Sequence, residues 1–283
     1  MNTSALFEKG IIFLENHRGL NFALVFAYSA FVVLMHDSFV KLSIIAMNSL
    51  SLQVYNERVK TLSIIMFVFL LVWIVISLIK HSEQWEIKIT FLSLSCVFLV
   101  LHSLVMFEMN IEIIHSFEYA ILVFLLFPFT RQIGATLALA LPVMIIDELN
   151  QYLILYPNYN MYFEISDILL DIIGSGTFMV MLTILGVKTR KRLGTNNLLA
   201  LIVLALFVLV SFGGIATGFF ALHDSVVSAN TIFSYSHAKS PELFWHVHQF
   251  TKAKYHILKP IEGTLLITLA IIFYFIYDSL LFE

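Results

Sequence analysis

Eight apolar stretches constrain the fold more than any other feature of this sequence. Each has about 20 residues, the length that an α-helix needs to cross the hydrocarbon core of a bilayer. They are Leu20–Val40, Thr61–Ile79, Ile89–Phe107, Ile111–Phe129, Ile133–Leu155, Ile165–Val187, Asn197–Leu222 and Ile261–Leu281. Because helices satisfy all their backbone hydrogen bonds inside lipid, the stretches predict an all-α, polytopic transmembrane bundle with about eight transmembrane helices.

The composition excludes a water-soluble alternative. Hydrophobic residues make up 60% of the 283 residues and charged residues only 12%, whereas soluble domains carry roughly 25% charged residues. The net charge of −3 gives no indication of nucleic-acid binding. The single cysteine, Cys96, excludes an internal disulfide bond and a cysteine-based metal cluster. We therefore predict one membrane domain over residues 1–283, in contact with membrane lipid and with no nucleic acid.

Basic residues predict the orientation of the chain, because Lys and Arg flank transmembrane helices mainly on the cytoplasmic side. The segment Lys188–Arg192 holds four basic residues in five positions. With eight crossings, this segment and both termini fall on the same side, which we predict to be cytoplasmic. The long loop at residues 223–260 is then extracytoplasmic. Met1–Gly19 is predicted to be a short amphipathic segment at the membrane interface.

Polar side chains are concentrated in the predicted outer halves of the helices. They are His36, Asp37, His102, Glu112, His115, Glu118, Asp147, Glu148, Gln151, Asp167, Asp171, His223 and Asp224. An ionisable group in hydrocarbon is costly unless it is paired or faces water. The distribution therefore predicts a shared polar cavity that opens away from the cytoplasm. The alternative is that these side chains only join helices by hydrogen bonds.

Helical spacing groups many of these residues into three stripes, because residues three and four apart share one face of a helix. The stripes are Glu112, His115 and Tyr119; Asp147, Glu148 and Gln151; and Asp167, Asp171 and Gly174. The third stripe continues into a small-residue patch, Gly174–Gly176, which would let a neighbouring backbone approach closely. The three stripes are predicted to lie at a similar depth.

Two segments of the chain resemble the signatures of the VanZ-like family. In the first, IEIIHSFEYAILVFLL at Ile111–Leu126, a histidine is followed four residues later by a tyrosine at the start of an apolar helix. The second, Asp147–Gly176, has Glu-x-x-Gln at a helix end, a proline-containing loop, an aspartate, a polar residue and a glycine. These positions are Glu148, Gln151, Pro157, Asp167, Asp171 and Gly174.

The resemblance implies a four-helix VanZ-like core at residues 87–187, with flanking helices in residues 1–86 and 188–283. It also implies a bacterial inner-membrane protein of the cell envelope, with a role of the kind that VanZ-like proteins have in resistance to teicoplanin-type lipoglycopeptides. The chain departs from the family at three positions. Glu112 stands where family members often have lysine, no arginine follows Pro157, and Asp171 replaces the usual asparagine.

The candidate catalytic residues of the polar cavity are His115, Glu148, Gln151, Asp167 and Asp171. Paired carboxylates beside a histidine suit general acid–base chemistry. The same oxygens would suit a divalent cation, which is the cofactor that the sequence suggests. Because no Lys or Arg lies nearby in sequence, we predict that protons, a cation or a partner neutralise the carboxylates.

The outer loop offers a second set of metal ligands. His246 and His248 would lie on one side of an extended strand, and imidazoles are common zinc ligands. The neighbouring aromatic residues favour a different interpretation, in which this segment is amphipathic and lies on the outer leaflet. They are Phe244, Trp245, Phe250 and Tyr255.

Three classes of function remain open at this stage. The first is an envelope protein whose outer cavity binds or acts on a lipid or envelope precursor. The second is a non-catalytic accessory subunit of a larger membrane-protein complex, with other membrane-protein subunits as partners. The third is an ion- or proton-coupled carrier, which should have polar residues that continue to the cytoplasmic side.

Overall fold

The computed structural model describes residues 3–81, 83–107, 110–155, 163–190, 195–221, 233–234, 243–247, 252 and 254–281. The α-helices within these ranges are α1 (Thr3–Asn16), α2 (Arg18–Leu50), α3 (Leu52–His81), α4 (Trp85–Val105), α5 (Ile114–Thr130), α6 (Ile133–Asn150), α7 (Ile165–Ile184), α8 (Thr195–Ala216) and α9 (Pro260–Leu280). A 3₁₀ turn at Asn110–Ile113 precedes α5, and a π-helical turn at Gln151–Leu155 extends α6.

Two pairs of very short strands lie between α8 and α9. Phe220–Ala221 pairs in parallel with Phe233–Ser234, and His246–Val247 pairs antiparallel with Lys254–Tyr255. These strands do not change the fold class, which is all-α as the sequence predicts.

Seven helical segments within the described residues are long and apolar enough to cross a membrane. They are α2, α4, α5 with its 3₁₀ turn, α6 with its π turn, α7, α8 and α9. The protein is therefore an integral membrane protein with several spans. α3 begins before its apolar stretch, and its N-terminal turns carry Glu57, Arg58 and Lys60.

Helix α7 is the centre of the bundle. Nearly all its side chains are buried, because α4, α5, α6 and α9 pack around it. Gly174 lies against Ser116 of α5, and Gly176 lies against the ring of Tyr274 on α9. A Cβ atom at either glycine would overlap these neighbours. The predicted close approach at the Gly174–Gly176 patch is confirmed.

Helices α5 and α6 form the tight hairpin that their short connection predicts. Arg131 ends α5 with a left-handed backbone conformation (φ 54°), and its N–H donates to the carbonyl of Phe127. The first N–H groups of a helix have no partner within it. Asp278 of α9 supplies a partner for one of these groups in α6. Its Oδ2 accepts a hydrogen bond of 2.9 Å from the N–H of Gly134. The carboxylate therefore caps α6 from a distant helix.

An ion-pair network centred on the buried Arg131 joins α1 to this hairpin. The Arg131 guanidinium donates to Glu8 at 3.0 Å and to Glu15 at 2.7 Å, and the Arg131 residue is only 3% exposed. Arg190, which follows α7, also donates to Glu15 at 2.7 Å. The predicted amphipathic segment is thus a helix held by charge against the end of α5. We call Arg131, Glu8, Glu15 and Arg190 the Arg131 network.

Helices α2 and α3 lie at the edge of the bundle. α2 packs against α5 and α6, whereas α3 contacts mainly α2 and the 3₁₀ turn before α5. Both helices expose large apolar side chains, which suit contact with lipid. Examples are Phe22, Phe26, Leu34, Ile45, Ile65 and Phe69.

Candidate functional site

Polar side chains from four helices meet at the end of the bundle opposite the Arg131 network. We call this group the histidine–carboxylate cluster. Its members are His36 of α2, His115, Glu118 and Tyr119 of α5, Asp147, Glu148 and Gln151 of α6 and its π turn, and Asp167 and Asp171 of α7. All five residues that the sequence predicts as a site belong to it.

Helical spacing brings the members of each helix to the same side. On α7, Asp167 and Asp171 are one turn apart, and their side chains are almost fully buried. On α5, His115 and Tyr119 are also one turn apart and buried. The stripes therefore face the interior between α5, α6 and α7 rather than lipid.

His115 lies nearest the centre of the cluster. Its Nε2 is 3.8 Å from Asp167 Oδ2, and its Nδ1 is 3.9 Å from Asp171 Oδ1 and 4.0 Å from Glu118 Oε2. These separations exceed the length of a direct hydrogen bond by about 1 Å. The Nδ1 atom has no hydrogen-bond partner, although the residue is only 7% exposed. The imidazole is thus surrounded by carboxylates without being bonded to them directly.

Asp147 is the second centre of the cluster. Its Oδ2 accepts a hydrogen bond of 3.1 Å from the Tyr119 hydroxyl and lies 3.8 Å from His36 Nδ1. The rings of His36 and His115 are 5.7 Å apart, between centroids. The other carboxylate oxygen of Asp147, Oδ1, has no hydrogen-bond partner. The two imidazoles therefore connect the carboxylates of α6 with those of α7.

The end of α6 contributes the remaining pair. Gln151 Nε2 donates a hydrogen bond of 2.8 Å to Glu148 Oε1, and both side chains are buried. Gln151 begins the π-helical turn. Such turns are rare, and they often occur at functional sites. The wider turn displaces the end of α6 just where its polar residues meet α7.

Negative groups dominate the cluster. Its carboxylates are Glu118, Asp147, Glu148, Asp167 and Asp171, and its only basic groups are the two imidazoles. Within the part of the chain that the structure describes, no Lys or Arg forms an ion pair with any of them. Buried charges without an opposite charge are strongly unfavourable. The carboxylates of the cluster therefore need protons, a cation or a partner to neutralise them, as the sequence predicts.

A small cleft adjoins the cluster beside the first turn of α7. Its cavity volume is only about 10 Å³, and it is lined by Met106, Glu112, Glu164, Ser166, Tyr255, His256 and Ile257. His102 of α4 stabilises this edge, because its Nε2 lies 2.9 Å from the carbonyl oxygen of Ser166. Ser166 precedes Asp167 directly, so the cleft approaches the cluster from the loop side.

His256 has a structural role in this cleft. Its backbone N–H donates to the carbonyl of Val105 at 2.7 Å, and its Nδ1 lies 2.8 Å from the carbonyl oxygen of Phe244. Its ring stacks on that of Phe244, and its Nε2 is 3.3 Å from Glu262. These contacts fasten the segment before α9 to the end of α4.

Of the two predicted metal ligands in the loop before α9, the structure describes only His246. His246 is in a short strand, where its ring is 5.9 Å from that of Tyr255. His248 lies outside the described residues, as do His223, Asp224 and Pro157. Among the residues with described positions, no group of three His, Cys, Asp or Glu could hold a metal ion.

Other polar residues of the sequence pattern have different positions. Glu112 lines the cleft instead of sharing the buried face of His115. Asp37 pairs with Lys41 at 2.5 Å on an exposed part of α2. Its neighbour His36 joins the cluster. The sequence pattern includes His36 among the polar residues of the predicted cavity but does not select it as a candidate catalytic residue.

This arrangement could hold and move protons. Two imidazoles and a phenol lie among four buried carboxylates and the partly buried Glu118. A histidine and a carboxylate can exchange a proton with a bound molecule over one hydrogen bond. It could also bind a positively charged group. Comparison with protein-family models, curated proteins and solved structures finds no match for this chain.

Proposed function

We propose that this chain is a VanZ-like protein of the bacterial inner membrane, with eight transmembrane helices and both termini in the cytoplasm. In this proposal, the histidine–carboxylate cluster opens to the extracytoplasmic side and binds or acts on a lipid or envelope precursor. Through this activity the protein would contribute to glycopeptide resistance. Helix α3 is the eighth span, through its apolar part at residues 61–79.

One observation carries the proposal. The positions that resemble the VanZ-like signatures come from three helices and are separated by up to 59 residues, yet they converge in one buried group (174 − 115 = 59). They are His115, Tyr119, Glu148, Gln151, Asp167, Asp171 and Gly174. Residues that only hold helices together would not need three carboxylates in one buried group. Their convergence supports a working site.

The position of the cluster supports its proposed orientation. It lies at the end of the bundle opposite the Arg131 network, which contacts Lys188 and includes Arg190 of the basic segment. Basic segments of this density favour the cytoplasmic side. An extracytoplasmic cluster at the depth of the outer leaflet would meet lipids and lipid-linked envelope precursors directly.

The chemistry of the cluster supports a reaction or binding event that involves protons. His115 faces three carboxylates at 3.8–4.0 Å. A bound molecule that supplies a hydroxyl, an amine or water could bridge these gaps with hydrogen bonds. His115 would then act as the acid–base group, while Asp167 and Asp171 would orient it.

The test compares protein stability with function in charge-removing variants. Asp167→Asn and Glu148→Gln keep the shape of each side chain and most of its hydrogen bonds. Removing charge from a crowded acidic group should leave the melting temperature in detergent unchanged or higher, because repulsion and desolvation are relieved. We expect growth under a teicoplanin-type lipoglycopeptide to fall sharply for an equal amount of folded protein.

Asp278→Ala is the control. Asp278 is as buried as Glu148, at 2% exposure, but its carboxylate caps α6. Alanine removes the acceptor for the Gly134 N–H, whereas asparagine would keep one, so Asp278→Ala should lower the melting temperature and leave function per folded molecule intact. If Asp167→Asn and Glu148→Gln behaved like this control, the cluster would be structural and the proposed function would be refuted.

A further inference from the structure

Three buried atoms of the histidine–carboxylate cluster lack a hydrogen-bond partner. They are His115 Nδ1, Asp147 Oδ1 and Asp171 Oδ1, on residues that are 7%, 0% and 1% exposed. Each comes from a different helix of the α5–α7 group. Buried polar atoms are normally hydrogen-bonded. Asp278 Oδ1 and a few other buried atoms of the described residues are also unpartnered. The three in the cluster differ because they lie on ionisable side chains that converge in one group. All three can accept a hydrogen bond when the imidazole is neutral with its proton on Nε2.

We infer that the cluster binds the primary ammonium group of an amphiphile, such as a lipid or lipid-linked envelope precursor. The inference rests on the proposed function, since it names the chemical class of the ligand of that site. A primary ammonium offers three N–H donors and one positive charge. It therefore supplies both the hydrogen-bond donors and the positive charge that the cluster lacks.

The separations in the cluster match an ammonium group better than a small divalent cation. His115 Nδ1 and Asp171 Oδ1 are 3.9 Å apart. Two acceptors at this separation can each lie about 2.8 Å from one ammonium nitrogen, which is the length of a charge-assisted hydrogen bond. Octahedral ligands of Mg²⁺ lie about 2.1 Å from the metal, so adjacent ones are about 3 Å apart and opposite ones about 4.2 Å apart. The 3.9 Å pair is too widely spaced to be adjacent ligands and too close to be opposite ones.

The charge of the surroundings favours a cation over a phosphate group at the same position. The cluster holds five carboxylates, and the adjoining cleft is lined by two more, from Glu112 and Glu164. Carboxylates therefore outnumber the three imidazoles of the cluster and cleft, those of His36, His115 and His256, so a cation would be attracted toward Asp167. Glu112 also stands where VanZ-like proteins often have lysine. The departures from the family pattern thus all favour a positively charged ligand.

The first test uses the unmodified protein in phosphatidylcholine nanodiscs at neutral pH. Decylammonium, decanol and decyl phosphate share one chain and differ in the head group. We expect decylammonium alone to raise the melting temperature in a saturable manner. Equal stabilisation by decanol or decyl phosphate would overturn the inference. So would full stabilisation by KCl or MgCl₂ alone, because the site would then bind an inorganic cation.

The second test asks whether the binding depends on the cluster. Asp171→Asn should weaken decylammonium binding about tenfold or more, as expected for loss of a hydrogen bond to a charged group. Asp278→Asn, a buried carboxylate outside the cluster, should bind decylammonium like the unmodified protein. If Asp171→Asn did not fold, Asp147→Asn would serve in its place. Unchanged binding in the cluster variant would overturn the inference.

Failure of this inference can be separated from failure of the proposed function. If decylammonium does not bind but Asp167→Asn still abolishes function, the inference is wrong and the working site stands. If decylammonium binds at the cluster but Asp167→Asn functions normally, the binding chemistry stands and the proposed function is wrong.

Discussion

Replacing Arg131 with glutamine should destabilise the protein far more than the same change at Arg190. Both guanidinium groups donate to Glu15, yet the Arg131 side chain is 4% exposed and that of Arg190 is 51% exposed. Arg131 also donates to both carboxylate oxygens of Glu8, at 3.0 and 3.2 Å. Its loss therefore leaves two largely buried carboxylates without their main partner.

The magnitude follows from what remains after the change. Removing one partner of a buried ion pair costs about 3–5 kcal/mol. Glu15 keeps Arg190, and Glu8 keeps the backbone N–H of Lys188 at 3.1 Å. We therefore expect Arg131→Gln to lower the free energy of unfolding by about 3 kcal/mol. Arg190→Gln should cost no more than about 1 kcal/mol, as for exposed pairs.

Equilibrium unfolding in mixed micelles with increasing SDS, followed by circular dichroism, measures both values. Arg131→Lys keeps the charge but not the forked donor geometry, so its free energy of unfolding should fall between the other two. Equal losses in Arg131→Gln and Arg190→Gln, within about 0.5 kcal/mol, would refute the argument from burial. If α1 detached in Arg131→Gln without any change in the free energy of unfolding, the stabilising role of the Arg131 network would be refuted.

Two further predictions concern packing and topology. Gly174→Ala should lower the free energy of unfolding by about 1–3 kcal/mol, because its Cβ would overlap α5. Gly213→Ala, with no atom within 4 Å, should be neutral or raise it by up to about 1 kcal/mol, and the same SDS titration compares them. In a Cys96→Ser background, an impermeant thiol reagent added to whole cells should label Ser236→Cys and not Thr195→Cys. The reverse labelling would overturn the proposed orientation.

The helices could be predicted from the sequence because the bilayer imposes their length. A span needs about 20 apolar residues, so each stretch predicts the spanning part of its helix. The helix itself can be longer, as α2 is, which continues beyond the predicted end at Val40 to Leu50. The status of α3 was harder to predict, since Glu57, Arg58 and Lys60 extend the helix beyond its apolar part. Length and hydropathy alone do not define where such a helix enters the membrane.

The polar stripes could also be predicted, because helical spacing is a local property of the chain. The 3.6-residue period puts Asp167 beside Asp171, and His115 beside Tyr119, whatever the tertiary structure. The convergence of the stripes depends on how the helices are rotated about their axes. His36 and Asp37 show this dependence. They are adjacent, but only His36 faces the cluster, while Asp37 pairs with Lys41.

The role of Arg131 could not be predicted from its sequence neighbours. As a basic residue in a short loop, it indicates only a cytoplasmic side. Its partners Glu8 and Glu15 are 123 and 116 residues away in the chain. A contact over that separation depends on the docking of α1, which no local pattern encodes.

The most direct measurement on the central claim is the accessibility of the cluster from outside. Asp167→Cys in a Cys96→Ser background puts one thiol beside the cleft, and Thr183→Cys puts one at the other end of α7. Right-side-out membrane vesicles would be treated with an impermeant, positively charged methanethiosulfonate. Our account predicts that the thiol at position 167 reacts and that the one at 183 does not. Protection at 167 in these vesicles, with reaction in inside-out vesicles, would contradict it.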